Sequence, residues 1–293
     1  MSSDLLAGVS VLDFGTVGPA ARASAILADY GATITKVGAV PRAGAVTITP
    51  PAFAYSGGRG TRRVQLDLKA DKGRAAAQAL AAASDVVIES FRPGVADRLG
   101  IGWNELSTQN PRLVYCSTSG YGQNGPASQR AGHDLNYLAV GGFLDCSGRR
   151  DDGGPALPGA TVADIAAGGM QAAMAIMAAL IGRGNTGEGR YLDVSIVDGV
   201  VAMMSLYVDE YLVTGTEPGP GHNVLTGRYA WYGIYRCADD GWISVGAIEP
   251  RFYANLLREL DLDSERFGSA QYEDEAQDDL RAAMTKVFAT RSR

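Results

Sequence analysis

Two histidines, three cysteines and three tryptophans are all that this chain of 293 residues carries of those types. The cysteines, Cys116, Cys146 and Cys237, are odd in number and far apart, with no C-x-x-C pair. That pattern excludes a disulfide framework and makes a reducing, cytoplasmic setting the expectation. His133 and His222 stand alone without H-x-x-x-H spacing, so no metal site is expected. Basic charge is also short: 26 Lys and Arg against 32 Asp and Glu leave a net charge of −6. A nucleic-acid binder would show the opposite balance, so an anionic ligand has to meet a local cluster of arginines. No run of about eighteen apolar residues occurs, and no basic-then-apolar leader follows Met1. Neither a membrane span nor a signal peptide is expected. A Walker loop and a G-x-S-x-G elbow are missing as well. Gly15-Thr16-Val17-Gly18-Pro19 follows a dinucleotide fingerprint only faintly, because Pro19 stands where the helix begins.

What is present is small and apolar. Hydrophobic residues make up 46% and charged residues 20%, with 38 glycines, the profile of a globular chain. The length suggests about two domains. Short apolar or β-branched runs at 9–14, 33–37, 85–89, 113–117 and 191–196 read as strands. Between them, residues 20–30, 72–84, 103–109 and 164–181 have helical spacing, and Gly31 fits the position after a helix end. Such alternation predicts an α/β domain, a parallel sheet with flanking helices, whose ligand loops line one edge. A further helix is expected over 197–211. The Pro- and Gly-rich stretch 214–221 reads as a boundary. Strands at 229–236 and 242–245 around Asp239-Asp240-Gly241, then helices at 251–259 and 278–287, predict a smaller α+β unit. The domain boundaries expected are 1–196, a helical linker 197–225, and 226–293.

Two residues stand out chemically. His133 lies in Ala131-Gly132-His133-Asp134-Leu135-Asn136-Tyr137-Leu138, and Asp164 precedes a glycine pair in Ala163-Asp164-Ile165-Ala166-Ala167-Gly168-Gly169. One is neutral and one anionic at rest, the pair that taking a proton from one face of a carbon and returning it to the other requires. Spacing alone leaves the structural alternative open: a hydrogen-bonded histidine, and an aspartate capping a helix. Arg59, Arg62 and Arg63 sit in Ser56-Gly57-Gly58-Arg59-Gly60-Thr61-Arg62-Arg63, and Arg92 in Phe91-Arg92-Pro93-Gly94. Arginine forks on glycine-rich backbone suit phosphates, although a solvated loop has the same composition.

The G-H-D-L-N-Y-L segment, Ala163-Asp164, Gly246-Ala247-Ile248-Glu249-Pro250-Arg251, Val64-Gln65-Leu66-Asp67-Leu68-Lys69, Phe91-Arg92-Pro93-Gly94 and Gly120-Tyr121-Gly122-Gln123-Asn124-Gly125-Pro126 together carry a resemblance. The chain resembles the alpha-methylacyl-CoA racemases, a branch of the family III (CaiB/BaiF-like) CoA-transferase superfamily, from Gly8 to about Thr290. The resemblance implies a large Rossmann-like domain, a small α+β domain and an interlocked homodimer. It implies that His133 and Asp164 flank the α-carbon of a 2-methylacyl-CoA, one removing the proton and the other returning it to the enolate. Glu249 would orient the histidine, and the Asp134 backbone N–H would donate to the thioester oxygen. Arg59, Arg62 and Arg92 would hold the coenzyme phosphates, with Val17, Pro19 and Tyr137 completing substrate and coenzyme binding. No cofactor is implied beyond the CoA of the substrate.

Departures from the family pattern fall at Gly38, where a glutamate is usual, at Gly58-Arg59-Gly60-Thr61-Arg62, which lacks an Asn and a Lys, and at Ala160, where racemases have an asparagine. Family chains also run on beyond the point matching Arg293, which implies a small domain incomplete at its C-terminus. Two alternatives remain: a CoA transferase with Asp164 as nucleophile, and an acyl-CoA-binding or assembly protein of weak catalysis. A transferase needs the aspartate alone, whereas His133 and Glu249 favour the racemase.

Overall fold

The computed structural model describes residues 4–15, 18–41 and 60–293. The chain divides into two compact units, Met1–Phe143 with Leu157–Leu212, and Leu144–Ala156 with Val213–Arg293. Most of the segment expected as a linker therefore belongs to the first unit, because Gly199 and Val200 are buried there. The strip Leu144–Ala156 goes with the second unit.

Six parallel strands form the first unit's sheet: β1 (Ser10–Asp13), β2 (Thr33–Gly38), β3 (Arg62–Gln65), β4 (Val86–Glu89), β5 (Val114–Ser119) and β6 (Arg190–Ser195). Their order is β3-β2-β1-β4-β5-β6, so the chain reverses direction across the sheet between β1 and β4. Open α/β sheets bind ligands at that reversal, beyond the carboxyl ends of the strands. Asp13 ends β1 and Glu89 ends β4, so the two carboxylates stand at the opening. Asp13 is fully buried and ion-paired with Lys36 of β2. Its Oδ1 accepts the Gly15 N–H at 2.7 Å, which fixes the turn leaving β1.

Helices cover both faces. α1 (Gly18–Asp29) and α6 (Gln171–Thr186) bury Ala20, Ala23, Leu27, Ala172, Ala173 and Ile176 against Val11, Ile34, Val86, Ile88 and Val114. The opposite face holds Leu12, Val37, Val87 and Tyr115 under Ala77 and Ala81 of α2 (Asp71–Ala82), Ala96 of α3 (Val95–Arg98) and Leu106 of α4 (Trp103–Gln109). β4 is buried at every position, which is why its sequence is an unbroken apolar run up to Glu89. Gly31 closes α1 at φ +99°, in the left-handed region that glycine reaches without strain.

Of the elements that differ from the sequence expectation, three bear on the candidate site. β3 is an edge strand written Arg62-Arg63-Val64-Gln65, whose exposed positions hide its period behind charge. α5 (Asp134–Val140) has seven residues, too few to show a periodic stripe. The helix opening near Asp164 winds as a π-helix over Ala163–Met170 before continuing as α6 to Thr186. Ala163–Thr186 is long and apolar enough to cross a membrane, but Ala167, Ala172, Ala173 and Ile176 are buried within the first unit, as in a core helix. α7 (Ile196–Met203) and α8 (Ser205–Thr214) follow, and α8 buries no residue.

The second unit pairs β7 (Tyr232–Arg236) with antiparallel β8 (Trp242–Gly246) across the expected hairpin, where Asp240 takes φ +58°. α9 (Pro250–Glu259), α10 (Ser264–Phe267) and α11 (Asp274–Phe288) surround Trp231, whose indole N–H donates to the Gln271 carbonyl at 2.7 Å.

Candidate active site

Two helix N-termini converge in the first unit. His133 is the extended residue before α5, and its backbone N–H donates to Asn136 Oδ1 at 3.0 Å. That bond closes the first turn and sets the direction in which the chain leaves Gly132. Asp134, the next residue, reaches across to the π-helix: its Oδ1 accepts the Asp164 backbone N–H at 2.8 Å. The Ala163 N–H bonds the same carboxylate. Burial raises the Asp134 carboxyl and these two donors oppose the rise. The residue beside His133 is thus the cap of the helix that carries Asp164.

Asp164 is buried, at 8% exposure. Its Oδ2 faces the backbone of Gly18, close enough that a Cβ there would lie 3.8 Å away, and Gly18 has φ +69°. The carboxylate therefore sits at the first turn of its own helix and beside the first residue of α1, where helix dipoles favour negative charge. Close approach of the helices depends on the glycine pair after Asp164. A Cβ at Gly168 would stand 2.5 Å from Pro19 Cβ, and one at Gly169 would stand 2.5 Å from Arg22 Cβ. Pro19 is consequently buried against the π-helix, with its ring turned to packing.

A cavity of about 400 Å³ opens beside His133. Its walls include Ser90, Arg92, Gly120, Arg130, His133 and Tyr137. The Tyr137 ring fills the space that a Cβ at Gly120 or Gly132 would need, and its hydroxyl donates to the Gly132 carbonyl at 2.6 Å. Tyr121 meets this ring edge-on at 5.4 Å between centroids. Burial, reinforced by the charges of Tyr121 and Asp164 and opposed by Arg92, pushes the Tyr137 phenol up to about 12. One neutral tyrosine thus senses both Asp164 and Arg92 while bracing the loop before His133.

Arg92 and Arg130 are exposed at this cavity and make no ion pair among the described residues. Two unpaired guanidinium groups suit a phosphate or carboxylate. Arg130 was not a candidate in the sequence, although it stands only three residues before His133. Arg62 opens edge strand β3, exposed and in register with Thr35. Arg59 and Val17 lie outside the described residues. Glu249 belongs to the second unit, where it is the exposed residue preceding α9. Ala160 is exposed two residues before Val162, whose N–H donates to its carbonyl at 2.9 Å. Gly38 lines a second cavity of about 440 Å³, with Phe14, Val37, Leu66, Leu68 and Phe91 among its apolar walls. This space adjoins the carboxyl ends of β1 and β2.

The model of CoA-transferase family III matches residues 6–293. The chain belongs to that family. It is 35% identical over 291 residues to alpha-methylacyl-CoA racemase of Homo sapiens, spanning 98% of this chain and 73% of that protein. It is also 34% identical to human succinyl-CoA:glutarate CoA-transferase, over 88% of this chain and 59% of that protein. A crystal structure of a CaiB/BaiF family protein from Brucella suis superposes with a TM-score of 0.85 at 27% identity, covering 98% of this chain and 79% of that one. The family and the parallel-sheet fold expected from the sequence both stand, while its relatives include racemase and transferase alike.

Proposed function

We propose that this chain inverts the α-carbon of a 2-methylacyl-CoA by moving protons through His133 and Asp164. The carrying observation is the Asp134 carboxylate, which joins the turn holding His133 to the helix end holding Asp164. A thioester acidifies its α-proton. One of the two side chains takes that proton, and the electron pair moves onto the thioester oxygen as an enolate. The other side chain, which enters the cycle already protonated, then gives its proton to the opposite face, so the thioester is regenerated with inverted configuration and the two groups exchange protonation states. Each such acid–base partner contributes typically about 10²–10⁴-fold. The Asp134 backbone N–H, at the first turn of α5, is the donor for the developing oxyanion in this reading.

Arg92 and Arg130 hold the coenzyme phosphates, and the apolar cavity lined by Gly38 and Leu66 takes the base end. The substrate brings the only coenzyme required. The reading also includes a homodimer, supported by α8, where Leu206, Tyr211, Leu212 and Val213 are 47–84% exposed.

The transferase relative keeps a second reading in view, with Asp164 as a nucleophile forming an acyl intermediate. Incubation of one enantiomer of a 2-methylacyl-CoA in deuterium oxide separates the two. Deuterium uptake with loss of optical purity, in the absence of any acceptor acid, supports racemisation. Turnover that requires an acceptor acid and leaves the α-hydrogen in place overturns it.

A further inference from the structure

Behind the Arg92 loop lies a polar network that the proposed chemistry does not use. Glu89, the last residue of β4, is 2% exposed. Its Oε2 accepts the Phe91 N–H at 2.7 Å, and its carboxyl is hydrogen-bonded to Ser117 of β5. Ser117 Oγ in turn accepts the Tyr191 hydroxyl of β6 at 3.3 Å. Side chains from three adjacent strands thus form a relay that terminates on the backbone of the loop carrying Arg92. Arg92 is also the residue shared by two cavities, the one beside His133 and another of about 240 Å³ walled by Glu89, Asp97, Trp103, Tyr115, Ser117, Gln123 and Tyr191.

We infer that Glu89 is a positioning residue that holds the Phe91-Arg92 turn in place for a CoA phosphate, and that its proton controls how firmly the turn is held. This inference rests on the coenzyme reading given above. The geometry carries it. An ionised carboxylate accepts from Phe91 N–H and Ser117 together, whereas a protonated one gives its hydrogen to Ser117 Oγ and offers the Phe91 N–H only a neutral oxygen, so it grips the turn less firmly.

The surroundings make that proton available near neutrality. Burial, opposed by the Ser117 and Phe91 donors and reinforced by the charges of Asp97 and Asp193, pushes Glu89 up to about 7. The groups facing it are Tyr115, Cys116 and Ser117 on β5, Tyr191 and Asp193 on β6, Asp97 on α3 and Arg92 on the turn itself. Asp13 on β1 is neutralised locally by Lys36. Tyr115 and Tyr191 are themselves raised by burial, and Cys116 is pushed beyond its ordinary range, so these groups stay neutral where Glu89 titrates.

The test uses 3′-dephospho-CoA, chosen because it lacks the phosphomonoester that titrates near pH 6. Its dissociation constant is measured from pH 6 to 8.5 for the parent, Glu89→Gln and Ser117→Ala, and the Phe91 amide resonance is followed in the same samples without ligand. Binding should tighten about tenfold as pH rises through about 7, the size of one charge-assisted hydrogen bond. The amide should titrate with the same midpoint. Glu89→Gln, which keeps the shape, should abolish both midpoints, and Ser117→Ala, which removes a stabilising donor, should move them upward. An amide that titrates while binding stays flat with pH overturns the inference and leaves the coenzyme reading intact. Absence of binding at every pH overturns the coenzyme reading and the inference with it.

Discussion

The Asp134 side chain and the Asp164 backbone N–H meet at 2.8 Å, thirty residues apart in sequence. Through this contact the first residue of the helix that follows His133 caps the helix that begins at Ala163. Any change that frees the cap loosens the relation between the two proposed proton-transfer groups.

Asp134→Ala removes the acceptor for the Asp164 and Ala163 N–H groups and should cost about 1 kcal/mol of stability. Its larger effect should be on α-proton exchange, because the helix end carrying Asp164 loses its tie to the residue beside His133. Asp134→Asn keeps a capping oxygen and should retain most of the exchange rate. Urea unfolding alongside deuterium uptake checks the pair, and an Ala variant with the parent's exchange rate refutes the anchoring role.

His133→Ala and Asp164→Ala should each stop inversion, with losses of at least about 10²-fold in turnover. Under the transferase alternative only the aspartate variant fails. Arg92→Ala and Arg130→Ala should instead raise KM for the thioester by about tenfold each, with kcat much less affected, as expected when ground-state and transition-state binding are lost equally. Steady-state kinetics on the four variants distinguishes these roles.

Much of this was legible in the chain, and the boundary of legibility is physical. β4 declares itself because both its faces are buried, leaving an apolar run that ends at Glu89. His133 drew notice through rarity, and Asp164 through the glycines that let its helix approach α1. The bond between Asp134 and Asp164 has no local signature, since neither residue's neighbours encode a partner thirty positions away. Glu89 reads only as a strand end, because its meaning comes from Ser117 and Tyr191 on two other strands. Arg130 was hidden in a loop without periodicity, and β3 was masked by two arginines on an exposed edge.

Close helix contacts give a prediction about packing. A Cβ at Gly168 would meet Pro19 at 2.5 Å, and one at Gly199 would meet the Ala167 carbonyl oxygen at 2.1 Å. Neither neighbour is the free end of a flexible chain. Gly168→Ala and Gly199→Ala should therefore each destabilise by about 1–3 kcal/mol, the ordinary cost of overpacking, with Gly199→Ala the worse because it strikes backbone. Thermal unfolding reads the difference. A Gly199→Ala variant as stable as the parent would show that α7 does not cross the π-helix at that point.

Glu89 also sets how stability depends on pH. Its folded-state value of about 7 lies above the ordinary 4.5, so the folded chain holds a proton that the unfolded chain has released. Stability from this group is then highest below about 4.5 and declines as pH rises towards about 7. The gap corresponds to about 3 kcal/mol for a group buried this completely. Glu89→Gln cannot ionise and should escape the decline, so the parent should lose stability relative to it between pH 5 and pH 8. The same variant is expected to bind 3′-dephospho-CoA less well at pH 8. A residue that weakens the fold in its charged form while tightening a ligand loop is the trade expected of a working site. Urea titrations of both proteins at the two pH values decide the matter: parallel stabilities would mean that Glu89 is ionised throughout and stores no such cost.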